Sequence, residues 1–223
     1  MKKYTLIVLF QLSMFSVAAQ EAPGKGDRAV DLSGFYIKPI YSAGSNWDLK
    51  VSGEVSGKTE VPQDMDFNGL SIGYEFKLND PKWSLLTEFQ WNNGDVSFGS
   101  FNELNVSISD FIYEVDQFTF HIKPAYNINE KLQLMAGPFI GLYNSTTTLK
   151  TVTIGGTNYG DISQDIDHTV YGVSVGARYK FTPNLSAEVG YNYFETSDER
   201  IPLTQTDWEF EGDYWSFGLM YQF

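Results

Sequence analysis

Large apolar residues alternate with smaller or more polar ones along eight segments of the chain. The clearest is the last segment, where every second position is apolar: Trp215, Phe217, Leu219, Tyr221 and Phe223. Because successive side chains of a β-strand point to opposite faces, this spacing predicts strands with one apolar face and one more polar face. The predicted strands lie near 34–41, 67–78, 83–91, 118–126, 132–142, 171–181, 185–193 and 215–223.

The connections between these strands alternate between short and long. The short ones carry the Asn, Asp and Pro residues of tight turns, at 79–82, 127–131 and 182–184. The long ones are polar and irregular, at 42–66, 94–115, 144–168 and 195–211. Three short turns and four long loops are the connections of an eight-stranded barrel. We therefore predict an all-β fold, an eight-stranded antiparallel up-and-down transmembrane β-barrel with its apolar face outward.

Three prolines lie inside the predicted strands, at Pro39, Pro124 and Pro138. Proline lacks the backbone N–H that a closed ladder requires. We expect β-bulges near these positions. A bulge would shift by one residue the assignment of side chains to the inner and outer faces.

The start of the chain predicts export. A basic start at 1–3, an apolar stretch at 4–17 and small residues at 17–19 are typical of a signal peptide. We assign residues 1–20 to a cleaved signal peptide and 21–223 to the barrel. The apolar stretch is too short for a membrane-spanning helix, and the chain has no cysteine that a lipid anchor or disulfide would need. The predicted location is the outer membrane of a Gram-negative bacterium.

Composition and charge agree with this location. Aromatic residues make up 16% of the chain, with 14 Tyr, 17 Phe and 5 Trp, and aromatic girdles mark the interfaces of membrane barrels. The formal net charge of -13 argues against nucleic acid as a partner. We expect contacts with outer-membrane lipid and lipopolysaccharide instead.

The signal peptide, the eight strands and the ending at 214–223 resemble the small outer-membrane barrels of the OmpX and OmpA-transmembrane type. The resemblance covers essentially the whole mature chain. It implies that the barrel-assembly machinery is a partner and reads the final strand as a signal. The residues that would form this assembly signal are Trp215, Phe217, Leu219, Tyr221 and Phe223.

Charged residues at inward positions predict a plugged lumen. The expected lumen charge network is Lys38, Glu75, Glu88, His121, Lys123, Arg178 and Glu188. An unpaired buried charge costs several kcal/mol, so these residues should pair on neighbouring strands. The expected pairs are Lys38 with Glu75, Glu88 with Lys123, and Arg178 with Glu188. An eight-stranded barrel has room inside for side chains but little for solute, so a general porin is not expected.

The two histidines offer little for catalysis. His121 is followed two positions later by Lys123, where a lipid A deacylase would need serine. His168 follows Asp165 and Asp167 at the rim of a long loop and faintly resembles the Asp/His chemistry of omptin proteases, but a second acidic pair has no counterpart. We therefore predict a protein without enzymatic activity and without a cofactor. A rim-located hydrolase using Asp167 and His168 is one alternative, and otherwise His168 is a solvated loop residue.

The long loops are acidic, and the fourth is the densest, with Asp198, Glu199, Asp207, Glu209 and Glu211. Their spacing does not match an EF-hand, so we predict no metal site, and weak binding of divalent cations is a hypothesis. Trp47, Trp208 and the Thr-rich stretch 145–153 could extend the hairpins into a protruding sheet that captures a surface protein by strand addition.

The expected function is a structural or surface-interaction role for a barrel with a plugged lumen and acidic extracellular loops. A narrow channel or hydrophobic-solute conduit, opening laterally through the wall, is a further alternative.

Overall fold

The computed structural model describes residues 34–52, 57–60, 66–97, 101–103, 106–154, 156–201 and 206–223. The predicted signal peptide at 1–20 lies outside these residues. Among the described residues, no helix is long and apolar enough to cross a membrane.

The described part of the chain forms twelve strands, and eight of them close into a ring. The strands are β1 (Phe35–Ser52), β2 (Gly57–Glu60), β3 (Phe67–Lys77), β4 (Trp83–Ser97), β5 (Phe101–Glu103), β6 (Val106–Ile108), β7 (Asp110–Asn127), β8 (Leu132–Ile154), β9 (Thr157–Lys180), β10 (Leu185–Thr196), β11 (Glu199–Ile201) and β12 (Thr206–Gln222). The antiparallel ring runs β1-β3-β4-β7-β8-β9-β10-β12, and β12 pairs back with β1. The predicted eight-stranded up-and-down barrel is confirmed.

The three predicted short turns are present, and side-chain oxygen atoms organise them. The Asn129 side-chain oxygen accepts hydrogen bonds from the backbone N–H groups of Lys131 and Leu132, both at 2.8 Å. The Thr182 hydroxyl oxygen accepts one from the Leu185 N–H at 3.0 Å. These local bonds replace the ladder bonds that the chain loses where it reverses direction.

The prediction that the long connections are irregular loops is wrong, because much of their length continues the barrel strands. β8 and β9 stay paired well beyond the apolar segments, with Leu149 opposite Ile162. At about 3.3 Å per residue, the 23 residues of β8 extend roughly twice as far as the 9–11 residues that cross a bilayer. Outside lipid both faces of a strand can be polar, so the ladder continues without apolar alternation.

The three strand prolines do not cause bulges, so that expectation is wrong. Each keeps the regular register with a neighbouring strand: Pro39 with Leu70, Pro124 with Leu85, and Pro138 with Val173. On the other side of each proline's strand, a few pairs of the ladder are missing, and pairing then continues in the same register. Between β7 and β8, for example, the pairs between His121 and Ala125 are missing. The register shifts occur instead at 43–46 and 149–153. The inner and outer faces therefore keep one parity past each proline.

The outer face carries a band of exposed apolar side chains, which we call the lipid-facing belt. The belt occupies alternate positions of 35–41, 70–78, 83–91, 118–126, 134–142, 171–181, 185–193 and 215–223. At its upper boundary, three aromatic side chains donate hydrogen bonds to carboxylates: Tyr41 to Asp66 at 2.9 Å, Trp91 to Asp116 at 3.1 Å, and Tyr193 to Glu195 at 2.9 Å. This aromatic–carboxylate boundary separates the apolar wall from the polar strand extensions.

Candidate functional site: the barrel lumen

Regular alternation directs every second side chain into the barrel. The structure places all seven predicted lumen residues on this inner face, where each is at most 8% exposed: Lys38, Glu75, Glu88, His121, Lys123, Arg178 and Glu188. Six of them are formally charged at neutral pH, three with each sign. The layer they form in the lower lumen is therefore neutral overall.

Two ammonium groups share two carboxylates at the centre of this layer. Lys38 Nζ lies 2.9 Å from Glu88 Oε2 and 2.7 Å from Glu188 Oε1. Lys123 Nζ lies 3.4 Å from Glu88 Oε1 and 3.5 Å from Glu188 Oε1. Each lysine therefore contacts both acids, so that moving any one of the four side chains changes more than one ion pair.

Arg178 extends the layer toward the short-turn end of the barrel. Its fully buried guanidinium lies 3.0 Å from Glu188 Oε2 and 3.3 Å from Glu75 Oε2. It also lies over the Tyr36 ring, 5.5 Å from the ring centroid. The Tyr36 hydroxyl in turn donates to Glu88 Oε2 at 2.9 Å. The six charged groups thus form one connected ionic layer.

One of the three expected pairs is wrong. The strand register places Lys38 opposite Ser71, while the Glu75 N–H bonds to the Gly34 carbonyl four residues closer to the turn. Glu75 instead accepts hydrogen bonds from Ser84 at 2.8 Å and Gln133 at 2.9 Å, in addition to its contact with Arg178. The other two expected contacts, Glu88 with Lys123 and Arg178 with Glu188, are present.

His121 lies within the network without an ion pair among the described contacts. Its Nε2 lies 2.9 Å from the Thr119 hydroxyl, and its ring stacks on Phe139 with centroids 4.7 Å apart. Its strand neighbour in the ladder is Glu88. The histidine therefore fills space between the ionic layer and the apolar side chains above it.

Amide side chains continue the filling above the ionic layer. Gln90 donates to Asn92 at 3.0 Å, and Asn92 donates to Gln117 at 2.9 Å. The cavity bounded by Lys38, Glu188 and neighbouring residues has a volume of about 10 Å³. That volume corresponds to about one water molecule.

An aromatic layer, which the apolar pattern of the sequence did not predict, fills the upper lumen. It consists of Phe67, Tyr113, Val115, Phe139, Tyr143, Val170, Phe194, Phe210 and Tyr214. Ring centroids are 6.4 Å apart for Tyr143 and Phe194 and 5.7 Å for Tyr113 and Phe210. Several members lie in segments assigned to loops. Continuing the strand parity through 143 and 214 would have directed these aromatics inward.

His168 is not the solvated loop residue that the sequence suggested. It is buried, its Nδ1 lies 2.9 Å from the Ser197 carbonyl, and its ring contacts Phe210 edge-on at 5.5 Å. Asp167, the adjacent residue, is exposed on the other face of the strand. The two side chains of the proposed rim dyad therefore point in opposite directions.

The outer strand extensions carry the acidic residues of the predicted fourth loop. Glu209 lies 3.1 Å from the Lys50 ammonium, and Glu211 also pairs with it. These carboxylates raise the pKa of Lys50 above its ordinary value. Among the described residues, no group of three or more His, Asp or Glu side chains is arranged to hold a metal ion. Weak cation binding by the remaining acids stays a hypothesis.

The five residues of the expected assembly signal share the outer face of β12. Trp215, Phe217, Leu219, Tyr221 and Phe223 are each about half exposed. The Phe223 N–H donates to the Phe35 carbonyl at 3.0 Å, which continues the closure of β12 against β1. Their reading by the assembly machinery stays a prediction.

Comparison with known proteins gives one family and several similar folds. The chain matches the outer membrane protein beta-barrel domain over residues 7–223. It is 27% identical over 163 residues to outer membrane protein P1 of Haemophilus influenzae, covering 70% of this chain but only 29% of that protein.

Among solved structures, the outer membrane protease OmpT of Escherichia coli aligns with a TM-score of 0.53 and 10% identity, covering 88% of this chain and 99% of OmpT. Neisserial surface protein A aligns with a TM-score of 0.48 and 15% identity, covering 86% of this chain and 98% of its own. At these identities the likeness to OmpT concerns the fold alone. The family match spans nearly the whole chain, and the structure forms the expected ring with an apolar outer wall. The chain therefore belongs to the outer membrane protein beta-barrel family and resides in the bacterial outer membrane.

Proposed function

We propose that this protein is a non-enzymatic barrel whose lumen is closed by the ionic layer and the aromatic layer. The observation that carries this proposal is the sharing of Glu88 and Glu188 by Lys38 and Lys123 beside a cavity of about 10 Å³. Breaking a buried ion pair by removing one partner costs about 3–5 kcal/mol. A solute passing through this lumen would have to disrupt several such contacts at once.

The separation of Asp167 and His168 onto opposite faces supports the absence of enzymatic activity. A general base requires a partner within hydrogen-bond reach. His168 is buried instead, with its Nδ1 2.9 Å from the Ser197 carbonyl oxygen and its ring packed against Tyr143 and Phe210.

Single-channel conductance in planar lipid bilayers tests the plugged lumen. We expect no steady conductance steps from the parent protein. Arg178→Ala removes the group that joins Glu75 to Glu188 and should produce small, irregular openings. Lys150→Ala, which removes a cation at the exposed end of the barrel, is the matched control and should stay silent. Large, steady steps from the parent would overturn the proposal.

We also propose a surface-interaction role for the strand extensions. β8 and β9 project beyond the belt, cross-linked by hydrogen bonds from Thr146 to Asp165 and between Thr148 and Ser163, both 2.9 Å. In the part of the chain that is described, β9 pairs with β10 only over residues 170–180, so the projecting part of β9 pairs on one side only, with β8. Unpaired strand edges favour binding of a protein by strand addition.

This role is tested by shortening the projecting hairpin. Replacing 150–161 with an Asn-Gly turn would join Leu149 to Ile162, which already face each other. We expect cells that display the shortened barrel to adhere less to protein-coated surfaces than cells that display the parent. Equal adhesion would contradict the role, provided that the change of gel mobility on heating shows both proteins to be folded.

A further inference from the structure

A groove of about 610 Å³ crosses the lipid-facing belt over β7 to β10. Its lining includes the small side chains of Ala136 and Ala177, beside Val175. Ala136 and Val175 face each other across the β8–β9 ladder, and Ala177 follows two residues further along β9. The dip exists because alanines occupy positions where most of the belt has Leu, Ile or aromatic residues.

An aromatic pair closes each end of this groove. At the short-turn end, Trp83 and Tyr126 pack edge-on with ring centroids 5.0 Å apart. At the other end, Tyr191 and Trp215 pack in the same way at 5.2 Å. The groove therefore has the elongated, apolar form that suits a flexible hydrocarbon chain rather than a compact ligand.

Lysines gather beside the lower end of the groove. Lys82 directly precedes Trp83, and its carbonyl accepts a hydrogen bond from the Asn127 N–H at 2.7 Å. The Lys131 carbonyl accepts one from the Lys180 N–H at 2.8 Å, so these turns lie side by side. Lys82 and Lys131 are both exposed.

The short-turn rim of the barrel carries a small positive charge. The three turns themselves, at 79–82, 127–131 and 182–184, contain two lysines and two acids, and Lys77 and Lys180 at the adjoining strand ends bring the net charge of the rim to +2. In this class of barrel the short turns lie on the periplasmic side. Basic groups at a membrane surface attract anionic lipid headgroups.

We propose that the groove binds an acyl chain of an anionic glycerophospholipid from the periplasmic leaflet, with the phosphate at Lys82 and Lys131. The groove is continuous with the lipid-facing belt, so its occupant comes from the bilayer. Bilayer hydrocarbon is as apolar as the groove, so binding of the acyl chain depends on close van der Waals packing against the groove lining. The lysines of the short-turn rim favour an anionic headgroup.

Native mass spectrometry of the detergent-purified full chain tests this proposal, with phosphatidylglycerol, phosphatidylcholine and lipopolysaccharide as probes. The parent should retain phosphatidylglycerol in preference to the other two. Ala136→Trp, and independently Ala177→Phe, fill the groove and should abolish that preference. Lys82→Gln and Lys131→Gln should each weaken binding roughly fivefold.

Two matched variants serve as controls. Ile72→Trp places the same tryptophan ring on the belt at β3, and Lys150→Gln removes an exposed lysine at the opposite end of the barrel; both should bind like the parent. Equal retention of the two phospholipids would indicate annular lipid only and overturn the proposal. Preferential, groove-dependent retention of lipopolysaccharide would overturn the assigned leaflet, and lysine dependence without dependence on Ala136 and Ala177 would overturn the groove. Gel mobility of each variant before and after heating establishes that it is folded.

Discussion

Lys38 and Glu188 form an ion pair of 2.7 Å across a strand that lies between them, because β1 and β10 are both bonded to β12 and not to each other. The residue of β12 between them is Gly218, which faces Ile40 on one side and Glu188 on the other. A Cβ atom at position 218 would lie 2.7 Å from Lys38 Cγ and Cδ. Because Gly218 has no side chain, the Lys38 side chain can cross over β12 and reach Glu188.

Gly218→Ala should displace the Lys38 stem and destabilise the barrel by about 1–3 kcal/mol, the usual cost of an overpacked core. The free energy of unfolding, measured by denaturant titration in phospholipid vesicles, checks this expectation. The same substitution in a Lys38→Ala background should cost much less, because the clashing atoms are gone. An unchanged cost in that background would show that Gly218 is required for another reason.

Arg178→Ala should destabilise the barrel by about 3–5 kcal/mol, because it leaves the buried carboxylates of Glu75 and Glu188 without their shared partner. The free energy of unfolding of Arg178→Lys should lie between those of the parent and Arg178→Ala. Lysine keeps the positive charge, but it lacks the planar guanidinium that contacts both acids. Lys150→Ala, at an exposed ion pair, should have little effect. Equal losses for Arg178→Ala and Lys150→Ala, measured by the same titration, would refute the importance of burial.

Gly141→Ala should be poorly tolerated, because its Cβ would lie 1.8 Å from the Phe118 carbonyl oxygen and 2.7 Å from Thr119 Cα. Both are backbone atoms of β7, so the two strands would have to separate. Gly190→Ala is the matched control, since its nearest atom is the Ser216 hydroxyl oxygen at 2.7 Å, which can rotate away. We expect a cost of more than about 2 kcal/mol for the first and under about 1 kcal/mol for the second. Similar unfolding midpoints would contradict this difference.

The projecting β8–β9 hairpin should loosen in acid. Asp161 accepts a hydrogen bond from the Thr151 N–H at 2.9 Å and pairs with Lys150 at 3.0 Å, and both contacts lower the pKa of its carboxyl group. The stabilisation is fully present above the ordinary carboxyl pKa of about 3.9 and is lost as the pH falls through the lower folded value. Thr151 itself has a positive φ of 47°, so its conformation depends on such a bond.

The Thr151 amide resonance, followed by NMR as the pH is lowered, should shift with a midpoint below the ordinary carboxyl pKa. Asp161→Asn should abolish that shift. A shift that persists in the variant would assign it to another group.

Apolar alternation predicted the part of the fold that contacts lipid. It did not predict the strand segments that extend beyond the membrane. The pattern found Leu132 and the residues after it in β8, but not the continuation of that strand to Ile154. Beyond the belt, water accepts polar side chains on either face, so a strand there leaves no periodic signal. The aromatic layer was missed for a related reason: Tyr143 and Tyr214 are large aromatic residues at inward positions, where the pattern of the lipid-facing strands leads one to expect small or polar side chains.

The ionic layer was predicted in its members and only partly in its contacts. Inward parity identifies Lys38 and Glu75 correctly as lumen residues, but the choice of partner depends on strand stagger. That stagger separates Glu75 from Lys38 by four residues along the barrel axis. The role of Gly218 was likewise invisible, since it depends on a lysine from another strand.

The aromatic–carboxylate boundary fixes the depth at which the barrel sits. Tyr41, Trp91 and Tyr193 have apolar ring faces suited to the edge of the hydrocarbon, while the carboxylates they hold belong in water. Moving the barrel deeper into the membrane would place three carboxylates in the hydrocarbon. Moving it outward would expose the three aromatic rings to water. In a membrane thinner or thicker than the belt, the surrounding bilayer must therefore deform to meet the protein.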